Sequence, residues 1–60
     1  MISDYRSSNL PRRSFRGQNF SGTDFSRADL SGVDFTDAIL DGANFSHADL
    51  RGAEIGRAHV

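Results

Sequence analysis

Two histidines and a scatter of serines are the side chains in this sequence that could carry catalysis. His47 and His59 are the only histidines, and the chain has no cysteine. A zinc site needs three or four convergent ligands. A serine hydrolase needs a nucleophile turn, a base and an oxyanion hole, and no GxSxG-like element is present. We therefore predict that the protein is not an enzyme, with no catalytic, cofactor-binding or metal-binding residue and no cofactor.

The aspartates form a regular series that could be read as a calcium site. Asp24, Asp29 and Asp34 are five residues apart. Calcium-binding β-rolls use a nonapeptide repeat with double glycines, and neither feature occurs here. Asp and Asn side chains also bond to nearby backbone groups and thereby form turns. We predict that these aspartates are turn formers.

Charge is unevenly distributed along the chain. Residues 1–16 carry four Arg and one Asp, whereas residues 17–49 carry six Asp and one Arg. Arginines attract nucleic acid electrostatically, but a cluster of this kind is more often solvated. We expect them to be solvated or to balance the acidic repeats, so we predict no nucleic-acid partner.

An apolar residue recurs every five positions from Leu10 onward, and such a period is typical of solenoids. Five residues advance an α-helix by about 500°, which makes no stripe, and an odd period in a flat strand alternates between faces. The backbone must therefore turn once per repeat. The apolar centres are Leu10, Phe15, Phe20, Phe25, Leu30, Phe35, Leu40, Phe45, Leu50, Ile55 and Val60.

The order of Phe and Leu indicates how many repeats make one coil, because like side chains should stack on like. An offset of twenty residues matches four of five pairs between Leu10 and Leu50, and an offset of fifteen matches one of six. An offset of ten matches five of seven, which fits four sides with opposite faces alike. We predict four repeats per coil.

Three runs resemble the A(D/N)LXX unit of the pentapeptide-repeat family: Ala28–Gly32, Ala43–His47 and Ala48–Gly52. The resemblance implies an all-β fold, a right-handed quadrilateral β-helix in which the centre and the residue two before it point inward. The expected solenoid covers residues 10–53 in about two to two and a half coils, after an irregular basic leader over residues 1–9. Arg13 and Gln18 occupy the inward position two before the centre, where the later repeats have a small residue. We therefore expect an imperfect coil before about Thr23.

Residues 54–60 form either a last partial repeat or a non-native tail. They resemble the in-frame translation of a short-read sequencing adapter, although Ala53, Glu54, Ile55 and Ala58 stay in register. If the tail is non-native, the chain is a fragment of a longer protein. The opening Arg13–Gln18 is similar to the start of repeat tracts in bacterial members, some of which carry further domains.

The resemblance implies a non-catalytic scaffold or protein-interaction module with an unknown protein partner. Outward residues such as Arg27, Asp37, His47 and Arg51 would form its surface. The alternative is a DNA-mimic modulator of a type II topoisomerase, which needs a strongly anionic rod. A homodimer through the exposed coil ends is a further option. No apolar run is long enough for a membrane span, no signal peptide is evident, and we expect a cytoplasmic protein.

Overall fold

The computed structural model describes residues 4–56, in which the chain coils with a repeat of five residues. Each repeat has one bridge residue, one inward centre and a two-residue turn, and these residues contain no helix. Strand pairing consists of single-residue parallel bridges, each between residues twenty apart. The pairs are Asp4 with Asp24, Asn9 with Asp29, Ser14 with Asp34, Asn19 with Ile39, Asp24 with Asn44, Asp29 with Asp49, and Asp34 with Glu54.

The bridges make two complete coils and part of a third. An offset of twenty residues between bridged partners means that four pentapeptides complete one coil. This agrees with the offset that the order of Phe and Leu favoured. Backbone hydrogen bonds of 2.7–2.9 Å join successive coils, such as Phe25 N–H to the Asn44 carbonyl and Asp49 N–H to the Ala28 carbonyl.

The four repeats of a coil create four columns, which we number by their centres along the chain. The first column stacks Tyr5, Phe25 and Phe45, and the second stacks Leu10, Leu30 and Leu50. The third stacks Phe15, Phe35 and Ile55, and the fourth stacks Phe20 and Leu40.

The core lies inside the second coil and is built from the centres and the small residues before them. Phe25, Leu30 and Phe35 are fully buried. Phe25 stacks between Tyr5 and Phe45 with centroid distances of 5.2 Å to each ring. The small inward residues Thr23, Ala28, Val33 and Ala38 are also buried. Aromatic stacking along the axis thus ties the three coils together.

The turns follow one geometry throughout the described chain. In nine of the ten turns the residue three after the centre donates its N–H to the carbonyl of that centre, for example Ala28 to Phe25 at 3.1 Å. The second turn residue has a positive φ, such as +61° at Arg27, while the first does not. This pattern is that of a type II turn, which strongly favours glycine at the positive-φ position.

The prediction of an irregular leader over residues 1–9 is wrong for residues 4–9. Asp4 and Asn9 form bridges, and Tyr5 packs on the core at a centre position. Tyr5 lies five residues before Leu10 and was missed because the series was read from Leu10. Met1 to Ser3, and Arg57 to Val60 of the predicted tail, lie outside the described residues.

The expectation of an imperfect coil before Thr23 is also wrong for the backbone. Asp34 N–H bonds to the Arg13 carbonyl and Ile39 N–H bonds to the Gln18 carbonyl, at 2.9 and 2.8 Å. These bonds use backbone groups only. The Arg13 and Gln18 side chains are exposed in the first coil, and within residues 4–56 no further coil encloses their inward sites.

Candidate interaction face

In seven of the ten turns, an Asp or Asn directly before the centre accepts the N–H of the first turn residue and stabilises the turn. Asp24 accepts the Ser26 N–H at 2.9 Å, and Asp29 accepts both the N–H and the hydroxyl of Ser31. Such Asx turns satisfy amides that would otherwise need water. The aspartates therefore serve as turn formers, and among residues 4–56 no three His, Asp or Glu side chains are grouped to hold a metal ion.

Ion pairs join two arginines of residues 1–16 to aspartates of the acidic repeats. Arg6 donates to both oxygens of Asp4 and lies 3.8 Å from Asp24 in the second coil. Arg16 lies 3.7 Å from Asp34, also one coil above it. Basic residues of the first coil thus lie next to acidic residues of the second coil along the solenoid axis. Two of the four arginines in residues 1–16 are engaged with carboxylates rather than presented to a polyanion.

Hydrogen bonds and ion pairs lower the pKa of several ladder aspartates. The Arg51 side chain, followed by its backbone N–H, lowers the pKa of Asp49 to about 2. The side chain and N–H of Thr36 lower the pKa of Asp34, with a smaller contribution from Arg16. The Arg6 side chain likewise lowers the pKa of Asp4. These carboxylates are ionised at neutral pH.

The first column is unusual at the positive-φ turn position. Ser7, Arg27 and His47 stand there one above another, with φ of +58°, +61° and +60°. The Ser7 N–H bonds to the Ser26 carbonyl, and the Arg27 N–H bonds to the Ser46 carbonyl, which places the three turns directly in register. Every described coil therefore presents a side chain at this point.

Glycine dominates the same position elsewhere. The second column has Gly32 and Gly52 above Arg12, the third has Gly17 below Asp37, and the fourth has Gly22 and Gly42. A side chain at positive φ strains the backbone. The first column accepts this strain in all three coils, whereas each of the others uses glycine at least once.

A shallow groove lies along the first column. It has a volume of about 530 Å³ and is lined by Asp4, Arg6, Ser7, Ser26 and Arg27. Arg27 makes no ion pair within residues 4–56, unlike Arg6. We call the outward side chains of this column the Arg27 face; they are residues 4, 6, 7, 24, 26, 27, 44, 46 and 47.

The four surface residues singled out from the sequence do not share one face. Arg27 and His47 lie in the first column, one coil apart. Arg51 belongs to the second column and Asp37 to the third. The sequence alone did not reveal the alignment of Ser7 with Arg27 and His47. The twenty-residue offset, applied to the turn positions, would have found it.

A family model described as pentapeptide repeats, with eight copies, matches residues 6–37 and 28–59. The chain belongs to the pentapeptide-repeat family. The matched segments cover most of the sequence and include all four columns of the coil. No curated protein and no solved structure matches the chain. No helix within residues 4–56 is long and apolar enough to cross a membrane.

Proposed function

We propose that this pentapeptide-repeat chain is a non-catalytic interaction scaffold, a right-handed quadrilateral β-helix that contacts a protein partner through the Arg27 face. Family membership supports the β-helix, since pentapeptide repeats generally form one. The four rows of parallel bridges support its four sides. Solenoids commonly bind through long exposed faces built from repeated positions.

The observation that carries the proposal is the unbroken positive-φ column of Ser7, Arg27 and His47. Glycine at these positions would relieve backbone strain without disturbing the buried core. Strained backbone conformations tend to occur where a side chain is used. The column keeps hydroxyl, guanidinium and imidazole groups at these positions, so we assign its outward surface to binding.

The charge pattern of the described coils favours a protein partner over duplex mimicry. A DNA mimic presents a continuous anionic surface, whereas Arg6 and Arg16 pair with Asp24 and Asp34 across the coils. The Arg27 face itself mixes cationic, anionic and hydroxyl groups. Such a mixed polar surface fits the polar rim and hydrogen-bonding groups of a protein interface.

The test uses a variant that removes the face without removing the fold. In Arg27→Gly/His47→Gly both changes introduce the residue that the turn prefers, so the variant should be at least as stable as the wild type. Wild type and variant are immobilised and exposed to lysate of the source organism, and retained proteins are identified by mass spectrometry. The specifically retained protein is then purified and its affinity measured by calorimetry.

We expect the affinity of that protein to fall by about tenfold or more in the double variant, as for removal of central contact residues. Arg51→Ala is the matched control, because it removes an exposed arginine from the second column. It should leave the affinity within about threefold of wild type. Equal binding of the double variant and wild type would show that the Arg27 face is not the interface.

A further inference from the structure

The first coil has an edge whose backbone groups make no bonds to another coil. The N–H and carbonyl groups of Asn9, Ser14 and Asn19 make no backbone hydrogen bond within residues 4–56. One coil higher, Asp29 uses both groups, donating to the Ser8 carbonyl and accepting from the Leu10 N–H. An unpaired edge of this kind is a template for another chain.

The groups that would complete the first two columns of this edge are present in the third coil. The N–H groups of Phe45 and Leu50 and the carbonyl of Ala48 make no backbone bond to another coil within the described chain. They are the groups that a coil directs toward the bridge residues of the next coil. A second copy, placed with its third coil against this edge, would continue the ladder.

Two side chains of the first coil oppose the docking of such a copy. Arg13 and Gln18 occupy inward sites and are exposed. The residues directly above them, Val33 and Ala38, are fully buried inside the second coil. A coil added to the edge would enclose Arg13 and Gln18 in the same way.

Enclosure would be unfavourable for both side chains. Arg13 makes no ion pair within residues 4–56, so its guanidinium would lose water without gaining a carboxylate. The site above Gln18 holds only Ala38, and a larger side chain overpacks a site of that size. Neither penalty exists while the edge faces water, where long side chains extend freely.

We infer that Arg13 and Gln18 close the edge of the first coil against stacking by a second copy of this chain. The backbone of that edge fits another coil, and the two long polar side chains at inward sites prevent it from docking. The closure resides in side chains alone, because the bridges of the first coil are regular. The inference concerns this edge and is independent of the Arg27 face.

The test opens the edge with small side chains. Arg13→Ala/Gln18→Ala gives the first coil the kind of inward residues found in the later coils. Its mass is compared with that of the wild type by sedimentation velocity over a wide range of protein concentration. We expect species of at least twice the wild-type mass, increasing with concentration, and an unchanged circular dichroism spectrum.

Two controls separate the edge from a general loss of solubility. Arg13→Lys/Gln18→Glu keeps long polar side chains at both sites and should sediment like wild type. Arg27→Gly removes one positive charge from the lateral surface and should also sediment like wild type. Larger species in either control would overturn the inference.

The inference also fails if folded Arg13→Ala/Gln18→Ala has the wild-type mass at every concentration. If that variant loses its spectrum, Arg13→Val/Gln18→Ala replaces it, because it copies Val33 and Ala38 of the second coil. Failure of both variants to fold would contradict the inference, since it requires that these sites accept small side chains.

Discussion

At the scale of single residues, Thr23 is notable because its buried polar group makes no hydrogen bond. Its side chain is fully buried at an inward site, and its hydroxyl has no hydrogen-bond partner. Thr23→Val keeps the shape and removes the polar group. Because a buried unsatisfied hydroxyl costs about 1–3 kcal/mol, we expect the free energy of unfolding to rise by about 1 kcal/mol.

The reverse substitution provides the control for Thr23. Val33 occupies an inward site in the third column and is equally buried. Val33→Thr should lower the free energy of unfolding by about 1–2 kcal/mol in denaturant titrations, because it introduces a hydroxyl into an apolar site. If Thr23→Val were instead destabilising, the Thr23 hydroxyl would have a partner in solution.

The lowered pKa of Asp49 predicts that the folded protein loses stability in acid. Its pKa is lowered from 3.8 to about 2 in the folded protein, with the Arg51 side chain as the main cause. A group with a depressed folded pKa contributes stability above its unfolded pKa and loses it as pH falls through the folded value. We therefore expect the contribution of Asp49 to disappear between about pH 3.8 and pH 2.

The pKa itself can be measured by following the side-chain carboxyl resonance in NMR. In Arg51→Met the pKa of Asp49 should rise toward its ordinary value, because the backbone N–H of residue 51 remains but the guanidinium is gone. Asp34, which bonds to Thr36, serves as the internal reference and should titrate as in wild type. An unchanged pKa of Asp49 in Arg51→Met would show that the Arg51 side chain does not lower this pKa.

At the scale of the element, the type II turn is the unit that the chain repeats. Glycine is the residue that the positive-φ position prefers, and Arg27 occupies it at φ +61°. Arg27→Gly should raise the free energy of unfolding by about 1 kcal/mol, since the left-handed conformation costs other residues about that much. For a domain of this size the melting temperature should rise by about 4–8 °C.

Gly22 gives the matched control on the fourth column. Its φ is +68°, and a Cβ there would meet nothing within 4 Å. Gly22→Ala should therefore lower the free energy of unfolding by about 1 kcal/mol through backbone strain alone. Equal melting temperatures for Arg27→Gly and Gly22→Ala would mean that φ does not control the stability of these turns.

At the scale of the whole molecule, stability depends on the position of a residue along the axis. Phe35 is fully buried and packs within 6.1 Å, centroid to centroid, of Phe15, Phe20, Phe25 and Phe45. Phe35→Ala should cost about 3–5 kcal/mol. A 60-residue domain has only about 3–9 kcal/mol in total, so this variant should be largely unfolded at 25 °C by circular dichroism.

Phe15 tests the importance of axial position, because it lies in the same column one coil lower and is only partly buried. Phe15→Ala should cost about half as much, since water reaches the vacated site and less apolar area is lost. Similar losses in the two variants would show that the second coil is not the centre of the core.

The sequence by itself determined the five-residue repeat, the number of repeats per coil and the inward residues of the second coil. These features follow from residue types at fixed spacing, because the residues of each repeat form the turn of that repeat. The regular centres, together with Ala28 and Ala38, sufficed to predict the buried core of the second coil, but Ile55, another predicted centre, is exposed. The Asp and Asn before the centres sufficed to predict the turns.

Tertiary structure alone decided that residues 4–9 belong to the coil and which side chains share a face. Residues 4–22 join the coil because the bridges need only backbone groups, so Arg13 and Gln18 do not disrupt it. The basic leader and the acidic repeats become neighbours because residues twenty apart lie in contact across the coils. For the same reason Ser7, Arg27 and His47 form one column. Neighbours along the axis are distant in sequence, and local residue patterns cannot show them.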